Sequence, residues 1–215
     1  MIKRDAKKVI IIGGGGHARV LYDILRMNSF SVMGYADRHP KEDFDLKYLG
    51  DDQAIVNKYD PQQVRLVNGV GSIKQPVQHQ EIYERFRNLG YRFCAVVHSQ
   101  SIVSSYAQYG EGTQIIGGCV INAGTVIEEN VVINTSASVD HDCFIRAHSH
   151  IAPGVIISGA VKIGRGCHIG CGATIIQGVS IGDGVIVGAG TLVLKNIQSG
   201  RTVWGVPGKV YSINL

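Results

Sequence analysis

From Val97 onward, every sixth residue is the same kind of side chain. The series Val97, Val103, Tyr109, Ile115 and so on through Ile181, Val187 and Val193 has 17 positions, and 16 of them are Val or Ile. Four residues after each, a second row carries small or β-branched residues, among them Thr113, Cys119, Thr125, Val131, Ala137 and Cys143. An α-helix turns about 100° per residue, so every sixth side chain would rotate off its buried face. A β-solenoid has no such conflict, because short strands joined by tight turns bring the same residue type back to the same corner. The repeat therefore predicts an all-β parallel helix over residues 97–198.

Composition fits this architecture. The chain of 215 residues contains 28 glycines, many within the hexads, where a coil turning a corner needs them. A net charge of +4 is too small and too scattered to argue for a nucleic-acid partner. The five cysteines (Cys94, Cys119, Cys143, Cys167, Cys171) show no CxxC spacing, and three fall in the small-residue row as compact apolar side chains. The apolar run Val9–Ile12 is too short for a signal peptide core or a membrane span, so a cytoplasmic location is expected.

The first 96 residues read differently. KKVIII predicts a buried strand, which ends at Gly13-Gly14-Gly15-Gly16-His17. A helical pattern follows over Ala18–Met27, then a second strand over Ser31–Ala36 stopped by Asp37-Arg38. This strand, glycine turn, helix and strand predict an α/β Rossmann-like nucleotide-binding domain over residues 1–96. A short helix from Asp51, a strand over Val64–Val67 ending in Asn68-Gly69-Val70-Gly71-Ser72, a helix over Gln75–Leu89 and a last strand over Tyr91–Val97 complete it. No flexible linker precedes the first hexad. Residues 199–215, with Trp204, are expected to cap the solenoid's far end, where its interior and strand edges would otherwise be bare.

The hexads around Ile133–Ile151 carry polar groups that a solenoid does not need: Asn134, Asp140, His141, Asp142, His148 and His150. The repeat resembles that of the hexapeptide-repeat acyltransferases, which implies three hexads per coil. Stacking by 18 residues then sets Ala123 below His141 and Gly159 above it. Small neighbours leave an imidazole room on an outer face, and an adjacent carboxylate raises its basicity. That is how a general base would be presented. Cys143 is the nearest thiol, but its row directs it to the core.

Taken together, GGGGH, Asp37-Arg38, NTSASVDHD, HSHIAPG and WGVPGK resemble one family along essentially the whole chain. It is the sugar acetyltransferase group that includes sialic acid O-acetyltransferases and bacillosamine-pathway N-acetyltransferases. The resemblance implies a left-handed parallel β-helix with three hexads per coil. It implies transfer of acetyl from acetyl-CoA to the 4-amino group of a UDP-4-amino-4,6-dideoxy sugar, directly and without an acyl-enzyme. His141 would be the base, with Asp142 in a place where the family often has Glu. Gly13, Gly14, Gly15, Gly16, His17, Asp37, Arg38, Gly71 and Asn134 would bind the sugar nucleotide. His150, Ala152, Cys171, Ala189 and Lys209 would bind CoA. No metal is implied, and homotrimers with active sites between subunits are. The family's usual turn is G-A-S-G-H, so the two extra glycines here are expected mainly to add flexibility.

Other readings stay open on sequence alone. G-x-G-x-x-A with an acid near Asp37 is also an NAD fingerprint, though a diphosphate from any nucleotide suits a helix N-terminus. A sialic acid O-acetyltransferase would keep the same fold and base. His141, His148, His150 and His168 also raise a metal enzyme like the trimeric gamma-class carbonic anhydrases, which hold zinc with His from neighbouring subunits, although the spacing here does not reproduce theirs. A non-catalytic trimeric scaffold that binds sugar nucleotides is the remaining alternative.

Overall fold

The computed structural model describes residues 8–71 and 77–211. Lys7, Ser72 and the expected helix start at Gln75 lie outside them. KVIII forms strand β1 (Lys8–Ile12), flanked in parallel by β2 (Val32–Ala36) and β3 (Val64–Asn68) in the order β2-β1-β3. Its side chains alternate between two covers. Val9 and Ile11 pack with Leu21 and Leu25 of helix α1 (Gly16–Met27), whereas Ile10 and Ile12 pack with Ile55 of α2 (Asp52–Lys58) and Phe86 of α3 (Val77–Asn88). A strand buried on both faces reads as an unbroken apolar run, which is why KVIII lacks alternation.

Four or five strands are expected from the sequence, and three are regular. Single bridges Tyr35↔Tyr48 and Leu66↔Phe93 extend the sheet. YRFCAVV does not form one strand, because its two ends serve different neighbours. Phe93 pairs with β3, and Val96–Val97 pairs with Gln114–Ile115 of the solenoid. The crossing from one sheet system to the other takes place in these few residues.

From Val96 the chain winds a left-handed β-helix of 17 two-residue strands ending at Leu192–Val193. Three parallel sheets make its faces. The first face contains Gln114–Ile115, Val132–Ile133, His150–Ile151 and His168–Ile169, the second Ser138–Val139 and Ile156–Ile157, the third Phe144–Ile145 and Lys162–Ile163. Each strand pairs with the one 18 residues on, as in Val132↔His150↔His168. The sixth-residue row points inward and forms one continuous core with the row containing Cys119, Cys143 and Cys167. Ile151 is fully buried there. Ile151→Val is expected to cost about 1 kcal/mol, read as a shift in the urea midpoint at constant m-value.

From Gly112 to Gly190 each corner places one residue in the left-handed backbone region, and most use glycine for it. Between residues 130 and 160 the position is held at all corners but that of Gly154 by Asn130, Ser136, Asp142, His148 and Ala160, with φ of 54–62°. These residues bear a conformational cost that glycine avoids.

The far end closes otherwise than expected. Val203 fills the core, while Trp204 is 36% exposed and stacks on Tyr211 at 4.3 Å in a terminal hairpin. Successive strand side chains point oppositely, so a buried Val203 turns Trp204 outward.

The α/β unit sits against the first face and the corner before it. Val96 and Ile116 join the α1 cluster, and Asn28 Nδ2 donates to the Val97 carbonyl at 2.7 Å. Arg165 bonds Glu84 of α3 at 2.9 Å, and Arg92 bonds Glu111 at 2.9 Å.

Candidate active site

The glycine loop follows directly from β1. Gly13 has φ +102°, and a Cβ there would press on Gly69 and Val70 at 3.0 Å. At Gly14 a Cβ would meet the Tyr35 ring at 2.7 Å, so this glycine is required by packing rather than adding flexibility. Gly15 and Gly16 face open space. The start of α1 therefore lies bare, and its unpaired N–H groups and dipole favour an anion such as a diphosphate. Asp37 braces the loop: its Oδ2 accepts from the Gly14 N–H at 2.8 Å and its Oδ1 from the Arg38 N–H at 2.7 Å. Gly13, Asp37 and Arg38 line a cavity of about 450 Å³ with Gln78, Glu81 and Arg85 of α3.

A second, smaller cavity of about 200 Å³ lies between the α/β unit and the first face. It brings together His17, Gly71, Asn134 and His150, four of the sequence-predicted residues, and adds His79 of α3. Asn134 Oδ1 accepts from the Thr135 N–H at 2.8 Å, so its amide nitrogen faces His150 Nε2 at 3.2 Å. Nε2 of His150 is thus the acceptor of that bond. Burial pushes the His79 imidazole down to about 3, helped by the neighbouring histidines. His17 is likewise lowered by burial, against the opposing effect of its bond to Gln114.

His141 stands elsewhere, on the corner between the second and third faces. Its side chain is 52% exposed, and its Nδ1 lies 2.9 Å from Asp142 Oδ2. The left-handed backbone at Asp142 folds the carboxylate back toward the ring, and Gly124 one coil below leaves it space. Asp140 fixes the neighbouring peptide, accepting from the His141 N–H at 2.8 Å and from Asn122 Nδ2 at 2.9 Å. Nδ1–H donates to Asp142, which leaves Nε2 with a free lone pair. The bond to Asp142 is the largest influence on the imidazole and raises its pKa above the ordinary 6.5. Gly159 borders the ring, since a Cβ there would lie 2.6 Å from Nε2. The imidazole is therefore flanked closely on that side and open on others.

The residues expected at the CoA site are spread along the solenoid. Cys171 and Ala189 are exposed, one coil apart, on the corner that also carries Asn134. Ala152 is buried in the core and its N–H bonds the Ile169 carbonyl, so it offers no side-chain surface. Lys209 is exposed in the terminal hairpin. Cys143 is buried, and burial pushes its thiol up, which removes it as a nucleophile.

Two family descriptions match the chain: the PglD N-terminal domain over residues 8–86 and the bacterial transferase hexapeptide over residues 160–195. Among solved structures, the acetyltransferase domain of PglB from Neisseria gonorrhoeae is 31% identical, covering 95% of this chain and 100% of that one, with a TM-score of 0.89. It has also been solved in complex with acetyl coenzyme A. Perosamine N-acetyltransferase from Caulobacter crescentus, a histidine-to-asparagine variant in complex with CoA and GDP-perosamine, is 33% identical, covering 96% of this chain and 97% of that one, with a TM-score of 0.90. The chain belongs to this family of hexapeptide-repeat amino-sugar acetyltransferases.

One side chain departs from its sequence reading, and two others in the site had none. His148 is buried rather than displayed: it bonds Asn130 at 2.8 Å and packs edge-on against Tyr83, with burial and Arg165 holding it at about 4. It is a packing residue of the junction with α3. Gln114 and His79 went unread. Gln114 occupies an ordinary outward strand position, and nothing local marks it. His79 did carry a signal, because it shares a helix face with Tyr83 and Phe86, and a polar residue on an apolar stripe demands a partner. Among the described residues, no group of three or more His, Cys, Asp or Glu is placed to hold a metal ion. No described helix is long and apolar enough to cross a membrane.

Proposed function

We propose that this acyltransferase moves the acetyl group of acetyl-CoA to the 4-amino group of a UDP-4-amino-4,6-dideoxy-N-acetyl sugar of the bacillosamine type. His141 is the general base. The observation that carries this reading is the imidazole on an open corner, with Nδ1 committed to Asp142 and Nε2 free. A sugar amine is largely an ammonium at neutral pH and cannot attack a thioester. Nε2 takes one of its protons, the nitrogen attacks the thioester carbonyl, the carbon–sulfur bond breaks, and the nitrogen's second surplus proton leaves to solvent. The imidazolium then returns a proton to the departing CoA thiolate. Asp142 stabilises that imidazolium, as the acid of a triad does.

A single chain does not bring all the parts together. The nucleotide pocket lies within the α/β unit, which packs on the first face, whereas His141 projects from the corner between the second and third. The second face carries outward apolar residues, with Ile102 69% and Ile156 51% exposed. That surface suits contact with another copy, so that a sugar held by one chain reaches His141 of the next. A homotrimer in which each site spans two subunits satisfies this need, and light scattering that returned a monomer for active protein would refute it.

The deciding experiment is acetyl-CoA turnover, followed as free thiol, with UDP-4-amino-4,6-dideoxy-GlcNAc as acceptor and GDP-perosamine and CMP-sialic acid beside it. Turnover with the UDP sugar is the expected result. Preference for GDP-perosamine would keep the reaction and change the base, a reading favoured by the likeness to the Caulobacter enzyme. Turnover of sialic acid alone would move the reaction to a hydroxyl.

The pH profile provides a further prediction. Catalysis needs neutral His141, and Asp142 favours the protonated form, so the acid limb of kcat lies above the ordinary imidazole value. Asp142→Asn removes the charge that holds the proton. The acid limb therefore moves to lower pH, and plateau kcat falls because the tautomer is no longer enforced.

A further inference from the structure

We infer that Gln114 is a positioning residue that holds His17 as its Nε2-protonated tautomer, leaving Nδ1 as the ring atom offered to the acceptor sugar. The inference rests on the sugar-acetyltransferase reading above. Its basis is hydrogen-bond accounting. His17 Nε2 lies 2.6 Å from Gln114 Oε1, and the other end of that amide, Nε2, donates to the Asn68 carbonyl at 2.7 Å. A carbonyl can only accept, so the amide nitrogen must face Asn68 and the oxygen must face His17. That oxygen can also only accept, so the proton must sit on His17 Nε2. The usual ambiguity of amide and imidazole orientation is removed by the main chain.

The anchor is itself fixed. Asn68 ends β3, is 1% exposed, and its Nδ2 donates to the His79 carbonyl at 2.7 Å. Gln114 is also 1% exposed, on the first face of the solenoid. The network thus runs from α1 through the solenoid to β3 and α3, and ties the glycine loop to the face that carries Asn134 and His150.

Among the described residues, the titratable groups facing His17 across the small cavity are His79 from α3 and His150 from the first face, and no carboxylate lines it. No described acidic group there stabilises an imidazolium, and burial favours the neutral ring. A neutral ring with Nε2–H committed to Gln114 presents a lone pair at Nδ1. It accepts from a sugar hydroxyl or N–H and repels a group that can only accept. Gln114 thereby sets which kind of sugar substituent the cavity takes, without touching the sugar.

The test uses full-length protein labelled with ¹⁵N-histidine, with the His17 signal assigned by its loss in His17→Gln. The wild-type ring is expected to show a protonated Nε2 and an unprotonated Nδ1. Gln114→Met keeps the volume and removes both bonds. It is expected to give a mixed or reversed tautomer, a rise of roughly tenfold in KM for the sugar nucleotide, and little change in kcat or in KM for acetyl-CoA. A wild-type His17 protonated at Nδ1 overturns the inference, and so does a Gln114→Met protein whose tautomer and sugar KM are unchanged. If that variant does not fold, the wild-type spectrum still decides. If wild-type protein acetylates no sugar nucleotide, the functional reading fails, while the spectrum judges the tautomer on its own.

Discussion

His141→Ala is expected to lower kcat for acetyl transfer by about a thousandfold, within the range for loss of a general base. KM for the sugar nucleotide should stay near the wild-type value, because the imidazole's bond in the free protein is to Asp142 rather than to any group lining the nucleotide cavity. The ring is half exposed and belongs to no core cluster, so the thermal midpoint should hardly move. That combination separates a chemical role from a structural one. Initial rates of thiol release across pH would check it, and the residual rate of the variant should rise with pH as the acceptor amine deprotonates unaided. A variant with unchanged kcat would remove His141 from the mechanism and leave the exposed imidazole without a purpose.

The second large effect is predicted at a residue without a side chain. Gly159→Ala should reduce kcat by about a hundredfold, the scale expected when a reacting group is displaced by about 1 Å. A Cβ at this position falls 2.6 Å from His141 Nε2 and 2.7 Å from Cε1, well inside contact distance. The backbone at Gly159 is not in the left-handed region, so alanine should be tolerated by the chain itself. The ring must therefore swing away or give up its bond to Asp142. Stability should be nearly unchanged, and the imidazole's pKa should fall as the carboxylate loses its hold. An active variant would mean that the working position of the ring differs from the one described here.

The solenoid was fully legible because its contacts are periodic. From Val96 to Val193 a strand's partner lies 18 residues away, so a rule that binds Val132 to His150 also binds His150 to His168, and one-dimensional order becomes three-dimensional order. The glycine loop was legible for a related reason. Its chemistry depends on neighbours in sequence, with β1 leading through four glycines into α1. The exposure of His141 also followed from counting, since its neighbours in the stack are Ala123 and Gly159.

What counting could not supply are the contacts that join unlike elements. His17 and Gln114 are 97 residues apart, and their bond exists because α1 happens to pack on the first face of the helix. His148 looked like a displayed histidine until α3 covered it with Tyr83 and Glu84. Trp204 looked like a plug, but strand alternation gave the interior to Val203. By itself, then, the sequence determined the repeat, the nucleotide-type loop and the corner that bears His141. Only the tertiary structure decided which polar residues are enclosed where the two units meet, because that depends on the angle at which one unit seats against the other.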